Sequence, residues 1–421
     1  MLKRILSAWR QPETPLAADD GAAFWLARAE AGEAVAQRRL GLCYAQHQGV
    51  VADWAEAASW WRRAAEQGDV EAQYLLGQFL ASGAGAMAEG VPQKRWYTKV
   101  AANEPATAKA NLAVLYPDGL GVEPDLAAAA GWLAQAAEAG HVGAATELAV
   151  LHATGRGVTQ DLAKAEALLA EAAAQNFAPA QYNLGRLCLQ RGDDDAALAW
   201  YLKAAAHGSV EAAFSLATLH RQRQDLAEAR QWYQRAAADG SVPAQLALAA
   251  MLLHGEGGVV DAKAAAQWFE RAALAGDVTA QLALARLLVQ GQDHGEAVAW
   301  FRRAAEAGSA AAQCELAQLF ATGVNGRTDP GEALHWYSEA AKRNYPPAQL
   351  RLGLLLAEGQ GAVAANPVAA YMWLGLAEAQ SADPAERAVA AEVLARLVAT
   401  LPAAEKIRLD GVLAGELARL K

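Results

Sequence analysis

The sequence predicts an all-α protein built as a solenoid of antiparallel helix pairs, and three observations predict it. A large residue recurs at Phe24, Trp60, Trp96, Trp132, Leu168, Trp200, Trp232, Trp268, Trp300, Trp336 and Met372, at intervals of 36 or 32 residues. A fixed period of this length marks a repeat array rather than separate globular domains. An alanine followed four residues later by leucine opens each of ten units, at Ala36, Ala72, Ala108, Ala144, Ala180, Ala212, Ala244, Ala280, Ala312 and Ala348. Around the large residue runs A-x-x-W-(Y/F/L)-x-x-A-A-x-x-G, as in Ala229, Trp232, Tyr233, Ala236, Ala237 and Gly240. At about 100° per residue these small and apolar positions fall on one helical face.

Composition fits such an array. Of 421 residues 54% are hydrophobic but only 7% aromatic. The excess is alanine, which suits close helix packing. A net charge of −10 argues against nucleic acid, which calls for a basic stripe. Cys43, Cys188 and Cys314 lie far apart and show neither metal-ligand spacing nor a disulfide scheme. That usage leans towards a reducing, cytoplasmic setting, with a periplasmic one as the alternative.

Residues 1–18 form a segment of their own. Leu2, Ile5, Leu6 and Trp9 share one helical face beside Lys3, Arg4 and Arg10, and Pro12 and Pro15 end it. The segment caps the first repeat, is disordered, or lies as a short amphipathic helix on a membrane surface through residues 1–10. No apolar run is long enough for a secretory signal or a membrane span. A repeat region over 19–380 follows, beginning with a lone second helix. Ten units come next, at 33–68, 69–104, 105–140, 141–176, 177–208, 209–240, 241–276, 277–308, 309–344 and 345–380. Capping helices over 381–421 close the chain.

Each helix boundary has its own signal. Aspartate stands seven residues before the large residue at Asp53, Asp125, Asp161, Asp193, Asp225, Asp261, Asp293 and Asp329, where its carboxylate can accept from the free N–H groups of the coming helix. Gly68, Gly140, Gly208, Gly240, Gly276 and Gly308 end second helices in the left-handed conformation. Asp69, Ser209, Ser241, Asp277 and Ser309 then cap the next first helices. Between paired helices runs G-x-G-V-x-x-D, as at Gly155, Gly157, Val158 and Asp161, or at Gly119, Gly121, Val122 and Asp125. The 32-residue units, clustered between 177 and 308, lack four residues of this loop, and a change of curvature is expected there.

A unit of this length with AxxxLGxxY, then GxGVxxD, then AxxWYxxAAxxG resembles the Sel-1-like repeat family, relatives of the tetratricopeptide repeat. The resemblance covers about 19–380. YMWLGLAEAQ at 371–380, with two helical segments after it (384–401 and 403–420), resembles the ending of bacterial members. Leu168 and Met372 depart from the pattern in place of tryptophan, as do Glu104, Asn176 and Asn344 in place of the closing glycine. Unit 69–104 has an irregular loop, SGAGAMAEGVPQK. The resemblance implies a right-handed superhelical α-solenoid with a concave groove, and a role as an interaction adaptor.

Catalytic patterns are missing: there is no GxSxG, HExxH, P-loop or GxGxxG after a strand. Asp193, Asp194 and Asp195 read as helix capping, and His152 and His220 as packed rings where Tyr44 and Tyr116 stand in other units. No cofactor and no metal site are expected. Positions two, six and nine after the unit alanine lie opposite the core seam, and the resemblance places that face in the groove. It carries Arg38, Tyr74, Gln78, Tyr182, Arg186, Phe214, Arg221, Leu246, Leu282, Arg286, Leu350 and Leu354. These are interface residue types, with Tyr182, Arg186, Phe214 and Arg221 the leading cluster, unless neighbouring first helices bury them. The expected function is a non-catalytic scaffold holding a protein or peptide partner in the groove. The alternative is a cell-envelope factor that binds peptidoglycan fragments or assists exopolysaccharide machinery.

Overall fold

A computed structural model of the chain describes residues 21–82, 126–323 and 327–419. Outside the described residues lie the N-terminal segment 1–18, Trp96, Glu104, Ala108, Tyr116, the loop from Gly119 to Asp125 and the irregular loop beyond Ser82. Among the described residues are 21 helices and no strand. Two compact units divide the chain, Met1–Leu216 and Ala217–Lys421.

The first unit holds α1 (Ala22–Glu30), α2 (Ala34–Gln46), α3 (Trp54–Glu66), α4 (Val70–Ser82), α5 (Leu126–Glu138), α6 (Val142–Thr154), α7 (Leu162–Ala174), α8 (Ala178–Gln190) and α9 (Asp194–Ala206). Helix α10 (Val210–Gln222) spans the boundary. The second unit continues with α11 (Leu226–Ala238), α12 (Val242–His254), α13 (Ala262–Leu274), α14 (Val278–Gln290), α15 (His294–Glu306), α16 (Ala310–Thr322), α17 (Pro330–Lys342) and α18 (Pro346–Glu358). Helices α19 (Pro367–Gln380), α20 (Pro384–Val398) and α21 (Ala403–Arg419) end it. The consecutive helices from α1 to α9 and from α11 to α20 pack on one another, and α21 packs on α19, the arrangement of an α-solenoid of helix pairs.

The helix ends follow the punctuation. Asp53, Asp161, Asp193, Asp261, Asp293 and Asp329 accept backbone N–H groups of their helices at 2.9–3.1 Å. Asp225 departs from this: it caps nothing, and its carboxylate lies 3.7 Å from His220 Nδ1 instead. The six closing glycines take φ of 87° to 92°, and Asn176 and Asn344 take the same left-handed turn at 61° and 58°. Asp69 and Asp277 cap the next first helices at 2.8 Å, and Ser209, Ser241 and Ser309 do so at 3.1–3.4 Å.

The residue that fills the seam of a pair is the one after the tryptophan. Trp61, Leu133, Leu169, Tyr201, Tyr233, Phe269, Phe301 and Tyr337 are all buried, each contributing roughly 1.5–3 kcal/mol. Opposite them the first helix must be thin: a methyl group on Gly41 would lie 2.6 Å from the Trp61 ring, and on Gly185 2.6 Å from Tyr201. The tryptophans themselves are mostly half-buried and lie under a cation three residues on. Arg63 covers Trp60, Lys203 Trp200, Arg271 Trp268 and Arg303 Trp300 at 4.1–4.5 Å from the ring centre. The same register pairs α4 with α5 although residues 83–125 intervene in the sequence, Leu133 filling the space over Gly77.

Successive pairs are joined by buried glutamines. Gln37, Gln73, Gln181, Gln245, Gln281, Gln313 and Gln349 each donate through Nε2 to the carbonyl eight residues earlier, in the last turn of the preceding second helix, at 2.9–3.4 Å. The Oε1 of Gln37 accepts from Gln67 at 2.7 Å, and that of Gln181 pairs with His207 Nδ1 at 2.9 Å. Both partners stand just before a closing glycine. At the same register Gln245 and Gln281 have Ala275 and Ala307, and their Oε1 atoms are buried without a protein partner. Ala275→Gln should therefore stabilise the fold and Gln67→Ala destabilise it, each by about 1 kcal/mol. Urea midpoints at unchanged slope check this; two unmoved midpoints would show that the amide oxygens need no donor.

Candidate partner-binding face

The outward positions of the first helices divide by depth. Position two after the unit alanine is packed or half-packed. Arg38 is 8% exposed, its Nε 3.1 Å from Asp69, so it joins α2 to the cap of α4. Leu350 is buried in a cluster with Val393, Leu394 and Leu397 of α20, and Leu354 packs against that cluster. Leu282 packs half-buried on the core around Phe301 and Tyr337, and Leu246 and Phe214 are half-buried. Positions six and nine reach further out: Arg186, Arg221 and Arg286 are exposed.

In the first unit, Tyr74 receives a hydrogen bond from Gln78 Nε2 at 2.5 Å and stacks on His141, ring centres 4.2 Å apart. His141 Nδ1 accepts the Ala144 N–H at 2.9 Å and so caps α6. Its Nε2 therefore carries the proton and donates to Glu71 at 3.2 Å, a bond that holds the Glu71 carboxyl below its ordinary range. Sequence reasoning missed this cap because a histidine stands where other units have aspartate or serine. Tyr182 lies against Tyr201, ring centres 5.5 Å apart. Burial, helped by Tyr182, pushes the Tyr201 phenol up to about 12.

In the second unit, Arg286 forks onto Glu315 of α16, Nε at 2.8 Å. Arg221 reaches Glu256 in the loop after α12, Nη2 at 3.0 Å from Oε2. These two line a cavity of about 520 Å³ with Thr218, Gln222, Gln224 and Tyr233. Gly257 of the same loop stands so close to the Leu226 carbonyl that any side chain would collide with it, which brings Glu256 over α11. Among the described residues no three His, Cys, Asp or Glu side chains are grouped to hold a metal ion, and no helix is long and apolar enough to cross a membrane.

The Sel1 repeat model matches the chain ten times, at 34–69, 70–101, 106–141, 142–177, 178–209, 210–241, 242–277, 278–309, 310–345 and 346–381. The chain belongs to the Sel1 repeat family. This Sel1 repeat protein is similar to a protective antigen of uropathogenic Escherichia coli strains that displays an SLR fold. Identity is 26%, 94% of each chain is covered, and the TM-score is 0.54. It is also similar to a Sel1 repeat protein from Oxalobacter formigenes, at 25% identity over 82% of this chain and 98% of that one, TM-score 0.53. No curated protein matches it. Sel1 repeat proteins generally mediate protein–protein interactions, and the family is typically non-catalytic.

The raised Tyr201 phenol sets an alkaline limit on the fold. The unfolded phenol ionises near 10 and the folded one at about 12, so its contribution is complete below pH 10 and is lost as pH climbs through that window. In chemical unfolding at a series of pH values, Tyr201→Phe should lose less stability across it than the unmodified chain. Equal losses would contradict the assignment.

Proposed function

We propose that this Sel1 repeat protein is a non-catalytic adaptor that holds a peptide segment or a protein domain on the outward face of its first helices. The observation that carries the reading is the exposure of arginine at one helical face in several units: Arg186, Arg221 and Arg286. Arginine is enriched at protein interfaces, where its planar fork gives geometric selectivity. The half-packed Tyr182, Phe214, Leu246 and Leu282 would supply apolar area beside them, while Arg38 and Leu350 serve packing. A cytoplasmic setting is supported by three cysteines held as thiols, two of them buried.

The test separates binding from folding. Exposed arginines contribute at most about 1 kcal/mol to stability, so Arg221→Ala with Arg286→Ala, both in the second unit, should leave the melting temperature nearly unchanged. Affinity capture from native lysate should recover a partner with the unmodified chain and lose it with the double variant. The same partner captured by both chains would move the site elsewhere.

A further inference from the structure

The cavity between α10, α11 and the loop after α12 is lined at positions that vary from unit to unit. At the register of Thr218 the other two short units carry Arg186 and Arg286; at that of Arg221 they carry Leu189 and Val289. At the register of Glu256 the loop after α6 carries Arg156. In a repeat array the invariant in-register residues build the stack, so variable positions that meet around a cavity are free to discriminate. A large side chain at 218 would fill the space that threonine leaves open. At about 520 Å³ the cavity falls in the ~300–1,000 Å³ range of small-ligand sites.

Its polar groups specify the ligand. Arg221 uses a single guanidinium nitrogen, Nη2, on Glu256, at 3.0 Å from Oε2 and 3.3 Å from Oε1. Among the described residues Nε and Nη1 have no protein acceptor. Glu256, held by that contact, is the anion already present. Thr218 and Tyr233 join hydroxyls at 3.2 Å on the floor, and the carboxamides of the exposed Gln222 and Gln224 stand at the rim. A guanidinium with an open edge beside carboxamides is a donor array, and its complement is a planar carboxylate. We propose that this cavity binds a carboxylate group of a peptide, either a chain end or an Asp or Glu side chain, on the open edge of Arg221. Glu256 orients the guanidinium and competes with the ligand for it. This assignment deepens the adaptor reading and rests on it.

The test uses the full chain and fluorescein-labelled degenerate pentapeptide pools, read by fluorescence anisotropy. One pool free of Asp and Glu ends in a free carboxylate, a second is the same pool amidated, and a third is amidated with glutamate at its centre. At least tenfold tighter binding of a carboxylate-bearing pool than of the second supports the proposal. The first pool alone assigns a chain end, the third alone a side chain. Thr218→Arg and Arg221→Leu, each the residue that the register accepts elsewhere, should weaken that binding tenfold or more at unchanged melting temperature. Glu256→Gln should strengthen it several-fold, which a merely structural ion pair would not do. Equal binding of all pools, no binding of any, or Glu256→Gln weakening it overturns the proposal. Loss of partner capture in the arginine variants alongside equal pool binding would overturn the carboxylate alone and leave the adaptor standing.

Discussion

A buried glutamine amide reaching back to a carbonyl at the end of the preceding helix directs the stacking of seven units, while Ala145 and Ala213 stand in its place in two others. The unit alanine and the plug residue after the tryptophan bring two helices of a pair together, but their contacts are non-directional. The glutamine adds direction between pairs. From Gln37 to Gln349 its Nε2 meets the carbonyl eight residues earlier, tying the last turn of a second helix to the first turn of the next. A buried amide is costly when unpaired, so the bond fixes one register between consecutive pairs wherever the glutamine stands. Loops can then vary: four residues are missing between α8 and α9 without disturbing the plug at Tyr201.

Much of this architecture was legible in the sequence because repetition multiplies weak signals. A single aspartate before a tryptophan says little, but eight in register identify a cap, and six of them cap as expected. What escaped was chemistry that differs from its neighbours or hides inside the consensus. His141 caps α6 through Nδ1, a role that histidine does not announce. The glutamine was visible in A-Q-x-x-L, yet its partner lies across a helix boundary that spacing alone does not define. The tryptophan is the conspicuous residue of the motif, yet the residue after it fills the seam, and a cation three residues on covers the indole of Trp60, Trp200, Trp268 and Trp300. Asp225 departs from its register, its carboxylate lying beside His220.

The candidate face was legible only by direction. Helical spacing separated core from outward positions, but it could not separate outward from free. Arg38 and Arg221 look alike in sequence, and only the fold shows one locked on Asp69 and the other bordering a cavity. Leu350 is covered because α20 packs over it, a contact that depends on where the capping helices return. Residues that repeat carry the scaffold, and residues at the variable positions Thr218, Arg221 and Glu256 carry the capacity to discriminate.

That division is tested most directly by replacing Thr218, Arg221 and Glu256 together with the arginine, leucine and arginine that their registers hold elsewhere. Melting temperature and partner capture are then measured side by side. An unchanged melting temperature with lost capture is the expected result. A substantial fall in melting temperature, or capture that survives intact, would contradict it.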